Sequence, residues 1–157
     1  MSKKILALGL VLALAAVMVI PVAVSAAGTD TATVSGTVAF SIDVTIPDTI
    51  SLGTPMIVGD NPSGAKTLHV VANGNWKVDA ADLANGGYMK DSSTPLTNKL
   101  QISKDNVTYS GADSAIQYTG SSTTGTDLNF YAKQTVAASD AVGSYSITIT
   151  FTGAANP

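Results

Sequence analysis

Alternate positions from Ala32 to Ile46 are apolar or glycine, and the positions between them are mostly polar. This period-two pattern predicts a β-strand with one buried and one exposed face. At about 3.3 Å per residue the run would extend roughly 50 Å, far beyond the ~17 to 20 Å of an ordinary strand. The run therefore either bends near Gly36 and serves both sheets of a sandwich, or leaves its first half free to pair with another molecule.

Shorter alternating runs recur along the rest of the chain. The segment Asn73-Gly74-Asn75 interrupts one of them, which indicates either two strands around a turn or one strand with a bulge. Residues 59–64 have the composition of a loop, and residues 79–85 are the only stretch with helical character. We predict an all-β fold, a single antiparallel β-sandwich of the Ig-like or jelly-roll type with eight or nine strands.

The first 26 residues have the features of a secretory signal peptide. Lys3 and Lys4 precede a long apolar run, and Val24-Ser25-Ala26 supplies the small residues of a cleavage site. The alternative is an uncleaved anchor, because the apolar run approaches the ~20 residues that span a bilayer. We favour cleavage, which divides the chain into a signal peptide (1–26), an extended N-terminal arm (27–37) and a β-sandwich domain (38–157).

The composition beyond the signal peptide is acidic and lacks arginine, glutamate and cysteine. Six lysines remain against eleven aspartates, a net charge of −5. Such a chain has no basic footprint for nucleic acid and does not favour anionic lipid. Without cysteine it has no disulfide framework and no thiolate metal site. We therefore expect a secreted, extracellular protein with no nucleic-acid partner and no membrane association after cleavage.

Few residues suggest catalysis. His69 is the only histidine, and it lies on the polar face of its strand, where a catalytic triad or multi-histidine metal site is not expected. Calcium is the one cofactor that the aspartates bring into consideration, with Asp79 and Asp82 three residues apart. Asp beside Asn, Gly, Pro or Ser is typical of turns, so we predict no cofactor, no metal and no enzymatic activity.

The aromatic residues divide into core and surface candidates. Trp76 shares its parity with Val78 and is predicted in the core. Tyr145 is predicted to tie its hydroxyl to nearby backbone, as in a tyrosine corner. Asn106-Val107-Thr108 fits a glycosylation acceptor. Candidates for contact with a glycan or a partner are Tyr88, Tyr109, Tyr118 and Tyr131.

Three segments together resemble WxL-type surface domains. These domains are exported β-sandwiches of Gram-positive bacteria that associate non-covalently with the cell wall, so the resemblance implies a wall-associated protein and a glycan partner. The closing Gly-x-Tyr pattern is also similar to fibre-forming, pilin-like sandwich subunits. The segments are Val38-Ala39-Phe40-Ser41-Ile42 through Ile46-Pro47-Asp48 to Leu52-Gly53, Trp76-Lys77-Val78, and Gly143-Ser144-Tyr145-Ser146-Ile147-Thr148-Ile149-Thr150-Phe151-Thr152 with Ala155-Asn156-Pro157.

These observations predict a secreted, non-enzymatic structural or adhesive protein of the cell surface. Its expected partner is a second copy of itself, through strand donation, or cell-wall glycan. For strand donation the side chains expected to fill pockets in the neighbour and set register are Val34, Val38 and Phe40. The alternative function is an extracellular glycan-binding module, which needs aromatic rings on an exposed face.

Overall fold

The structure, a computed structural model, describes residues 32–47, 49–121 and 123–157. The predicted signal peptide and the first residues of the predicted arm lie outside the described residues. The chain divides into two units, Met1–Thr37 and Val38–Pro157. In the first unit, the described residues 32–37 have exposed side chains and form no strand. No helix among the described residues has the length and apolar character needed to cross a bilayer.

The second unit is built from strands that pair in antiparallel fashion. The described residues form no helix and eleven strands, of which three are only two residues long. The predicted all-β antiparallel sandwich is therefore confirmed, with eleven strands among the described residues where eight or nine were predicted. The strands are β1 (Ile42–Thr45), β2 (Gly59–Pro62), β3 (Lys66–Ala72), β4 (Trp76–Ala81), β5 (Lys90–Asp91), β6 (Thr94–Pro95), β7 (Gln101–Ser103), β8 (Ser110–Gly111), β9 (Ile116–Gly120), β10 (Thr126–Val136) and β11 (Thr150–Ala155).

Two sheets form the layers of the sandwich. The larger has the order β1-β3-β10-β7-β8, and β2 also pairs with β10. The smaller has the order β11-β4-β9, and β5 and β6 form a separate ribbon. Ile42 and Val44 of β1 pack against Gly153 of β11, where a Cβ would lie 2.9 Å from Ile42 Cδ1. The edge strands of the two sheets therefore meet at this side of the sandwich.

The core follows the alternation read from the sequence. The side chains of Leu68, Val70, Trp76, Val78 and Phe130 have no exposed surface. The prediction that Trp76 is a core residue is thus confirmed. The rings of Phe130 and Phe151 meet edge to face at 5.2 Å between centroids, which joins β10 of one sheet to β11 of the other.

The segment Asn73-Gly74-Asn75 is a corner between the sheets. It ends β3 in the larger sheet and starts β4 in the smaller one, so there are two strands around a turn, but they do not pair with each other. Asn73 also fixes the entry to β1: its Oδ1 accepts from Ser41 N at 2.8 Å and its Nδ2 donates to Ala39 O at 2.7 Å. The side chain of Asn73 thus forms hydrogen bonds with the backbone that precedes β1, just beyond Ile42–Ala72, the last residue pair between β1 and β3.

The long run to Ile46 forms a strand only at Ile42–Thr45, where it pairs with β3. Two expectations about local structure are wrong. Residues 59–64 are not all loop, since Gly59–Pro62 pairs with β10. Residues 79–85 contain no helix; the strand β4 runs to Ala81 and a turn follows. In each case tertiary pairing outweighs local composition.

Candidate functional site

An apolar groove of about 380 Å³ opens into the sandwich beside β11. One wall is residues 46–47 and 49–52, which follow β1, and the other is residues 145–149, which precede β11. Phe130 and Met89 form part of the floor. Among the described residues that line this groove none is charged, and Tyr145 alone is titratable. The groove is suited to apolar side chains and offers no acid–base pair.

The wall formed by residues 145–149 has an open backbone edge. Ser146 exchanges two backbone hydrogen bonds with Lys90, at 2.9 and 3.0 Å. Backbone groups of successive residues in an extended chain point to opposite edges, so those of Ile147 and Ile149 point away from Lys90. Within the described chain no strand pairs with that second edge. Extended backbone with unpaired N–H and C=O groups can accept an added strand.

A second cavity of about 580 Å³ shares Tyr145 with the first. The Tyr145 hydroxyl donates to Ala141 O at 2.9 Å, which confirms the predicted tie to nearby backbone. Asp140 also lines this cavity, and its carboxylate accepts from Thr97 Oγ1 at 2.6 Å and from Ala137 N at 2.7 Å. These hydrogen bonds, chiefly the one from Thr97, hold the pKa of Asp140 below its ordinary value. Asp140 therefore serves as a turn cap in this wall.

The three residues predicted to donate a strand lie in different surroundings. Val34 is 95% exposed and Val38 is 88% exposed. Phe40 is 40% exposed, and its Cδ2 would be 3.7 Å from a Cβ at Gly74. Phe40 thus rests on the corner of its own sandwich, whereas the side chains of Val34 and Val38 are open to solvent.

His69 lies on the exposed face of β3, as predicted. Its Nδ1 is 2.5 Å from Oδ1 of Asp127, its cross-strand partner on β10. Both side chains are largely exposed and neither lines a cavity. A histidine–aspartate pair on an exposed sheet face is typical of a protein surface rather than of an active site from which water is excluded.

Of the aspartates considered as metal ligands, Asp82 and Asp105 accept hydrogen bonds from backbone N–H groups, whereas Asp79 accepts one from the side-chain amide of Gln117. Asp105 accepts from the N–H groups of Thr108 and Val107, each at 2.8 Å, and these bonds together with the Ser103 hydroxyl lower its pKa to about 2. Burial alone would raise the pKa of Asp82, but N–H donors that include Ala84 outweigh it and the pKa is lowered. Among the described residues no three His, Asp, Cys or Glu side chains gather at metal-binding distances.

The four tyrosines proposed for surface contact do not share one role. The prediction is wrong for Tyr118, which is buried and donates its hydroxyl to Asn129 O at 2.9 Å. Its parity along β9 places it in the core, and burial raises its pKa. Lysine ammonium groups lie over the rings of Tyr88 and Tyr109, at 5.5 and 4.7 Å from the ring centroids. Tyr131 is half-buried.

Sequence reasoning did not find the groove. The alternation of Tyr145, Ile147 and Ile149 predicts a strand, but nothing in a single strand's pattern reveals whether a neighbour occupies both of its edges. The signal that exists is indirect: the strand-like run before β1 is longer than the sandwich needs.

No protein-family model matches the chain. No curated protein sequence matches it either.

Proposed function

We propose that this chain is an exported, non-enzymatic structural protein of the cell surface that self-assembles through its N-terminal arm. The observation that carries the proposal is the pairing of two complementary features: an exposed, strand-patterned arm and an apolar groove with an open backbone edge. Each feature alone is unfavourable in a monomer, since exposed apolar side chains and unpaired strand edges both promote association.

The chemistry of the two cavities supports a structural role over a catalytic one. Among the described residues, the titratable lining group of the first cavity is Tyr145, and those of the second are Tyr145 and Asp140. Both hydroxyl and carboxylate already have backbone or hydroxyl partners that fix a turn. General acid–base catalysis requires a titratable group free to exchange a proton with a substrate.

The resemblance to WxL-type domains supports a location outside the cell, in association with the wall. Export is tested by the intact mass of the extracellular protein, which should correspond to a chain that begins at Ala27 or Gly28. Retention of residues 1–26 would refute cleavage. Wall association is tested by sedimentation of the mature protein with purified cell wall.

Electron microscopy of the mature protein tests self-assembly directly. The expected result is filaments or extended oligomers, because head-to-tail strand donation is a heterologous contact that need not close. Val38→Asp should abolish them, since a carboxylate cannot enter an apolar groove without a partner. Single particles from the unmodified mature chain at all concentrations would contradict the proposal.

The glycan-binding alternative has weaker support. Sugar stacking needs an open aromatic face, and Tyr118 is buried while lysines lie over Tyr88 and Tyr109. Retention on a cell-wall polysaccharide that is lost on Tyr109→Ala, without loss of thermal stability, would favour this alternative.

A further inference from the structure

We infer that the groove whose walls are residues 46–47 with 49–52 and residues 145–149 is the acceptor site for the arm of a second copy of this chain. The inference rests on the proposed self-assembly and adds to it the surface that receives the donated strand. The donated segment is Ala32–Val38, which carries Val34 and Val38 on one face.

The backbone of the groove wall indicates that the occupant is a strand. The Lys90–Ser146 bridge occupies one edge of residues 145–149, and the backbone groups of Ile147 and Ile149 face the other edge, where no described residue pairs with them. A small apolar molecule would fill the groove but leave these N–H and C=O groups unpaired. An extended peptide satisfies them and fills the groove at the same time.

The spacing of the valines in the arm matches the spacing of side chains on the groove wall. Val34 and Val38 are separated by about 13 Å in a strand, as are Tyr145 and Ile149 on the wall. Two valines on one face of the arm therefore span the same distance as the inward-facing side chains of the wall.

The polarity of the two surfaces also matches. Ala32–Val38 contains no charged residue, and neither do the described residues that line the first cavity. The adjoining second cavity is lined in part by Val58 and Val142, whose side chains are exposed. Exposed apolar side chains beside an apolar groove are typical of a surface that a partner covers.

The arm of the same chain is a poorer fit to this groove. Asn73 holds Ala39 and Ser41 at the corner where β1 begins, and the groove starts only after β1, at Ile46. If the arm turned back at this corner, most of its residues would lie beside β1, and only its first residues would reach the groove. A second copy has no such tether, so its arm can occupy the whole groove.

Cysteine cross-linking of the mature protein tests this assignment. The chain has no cysteine, so any disulfide comes from introduced residues. Ser35→Cys and Thr148→Cys are placed in separate chains; both side chains are exposed and lie on the outward face of arm and wall, so folding should be unchanged. The matched control pairs Thr148→Cys with Thr108→Cys, an exposed loop residue outside both surfaces.

Docking brings the two thiols to an effective concentration in about the millimolar range, so at micromolar protein the test pair should cross-link on the order of tenfold or more faster than the control. Equal rates for the two pairs would overturn the assignment. So would a chain carrying both Ser35→Cys and Thr148→Cys that forms the disulfide within itself while the mixed chains do not.

The same samples separate failure of the inference from failure of the proposed function. Filaments without selective cross-linking would show self-assembly through another surface, which overturns the groove assignment alone. Selective cross-linking without filaments would support the groove and refute the filament-forming role.

Discussion

The indole ring of Trp76 lies directly against the Cα of Gly120, its cross-strand partner in the smaller sheet. A Cβ at position 120 would be 2.8 Å from Cε2 of Trp76, closer than side chains pack. Because the ring is rigid and fully buried, it has no room to move away. The glycine at this position is therefore part of the Trp76 pocket.

Gly120→Ala should destabilise the protein by about 1 to 3 kcal/mol, the usual cost of overpacking a core. Urea unfolding followed by tryptophan fluorescence measures this change. Gly64→Ala is the matched control, because a Cβ at Gly64 meets nothing within 4 Å. Equal stability of the two variants would show that the ring does not pack against Gly120.

Trp76→Ala should cost about 3 to 5 kcal/mol, from lost transfer free energy and the cavity left behind. Thermal unfolding followed by circular dichroism measures it. Trp76→Phe should cost less, since the indole Nε1–H has no hydrogen-bond partner among the described residues. A melting temperature near that of the unmodified protein, combined with lost glycan binding, would instead place Trp76 on a recognition surface.

Tyr145→Phe should destabilise by about 0.5 to 1.5 kcal/mol, because it removes the hydrogen bond from the hydroxyl to Ala141 O. Tyr131→Phe is the control, since the Tyr131 hydroxyl makes no hydrogen bond in the described chain. Chemical denaturation compares the two. A loss of stability equal to that of the control would mean that the Ala141 contact contributes nothing.

The loop capped by Asp105 should respond to acid. The folded-state pKa is about 2, below the unfolded value of about 3.9, so the carboxylate contributes stability above pH 4 and loses that contribution as pH falls toward 2. Melting temperatures of the unmodified protein and Asp105→Asn should therefore differ most above pH 4 and converge near pH 2. A difference that stays constant across this range would contradict the depressed pKa.

The sequence predicts the parts of the fold that depend on local pattern. Leu68, Val70 and Trp76 show their buried face through alternation alone, and the Gly-x-Tyr pattern predicts the role of Tyr145. The strand Gly59–Pro62 was missed because its pairing with β10 depends on residues seventy positions away, which outweigh its loop-like composition.

Of the two surfaces in the proposed contact, the sequence predicts the donor arm but not the acceptor groove. The exposed valines of the arm stand out because the alternating pattern begins well before the first residue of β1. The acceptor half depends on which backbone edge of Ile147 and Ile149 lacks a neighbour, and edge occupancy is a property of the assembled sheets rather than of one segment.

Sedimentation velocity of the mature protein carrying Val34→Asp tests the central claim most directly. Val34 is 95% exposed, so the substitution should leave the melting temperature unchanged; Val107→Asp, at an 82% exposed loop position, is the matched control. We predict concentration-dependent multimers for the unmodified protein and Val107→Asp, and monomers only for Val34→Asp. Multimers that persist unchanged in Val34→Asp would contradict assembly through the arm.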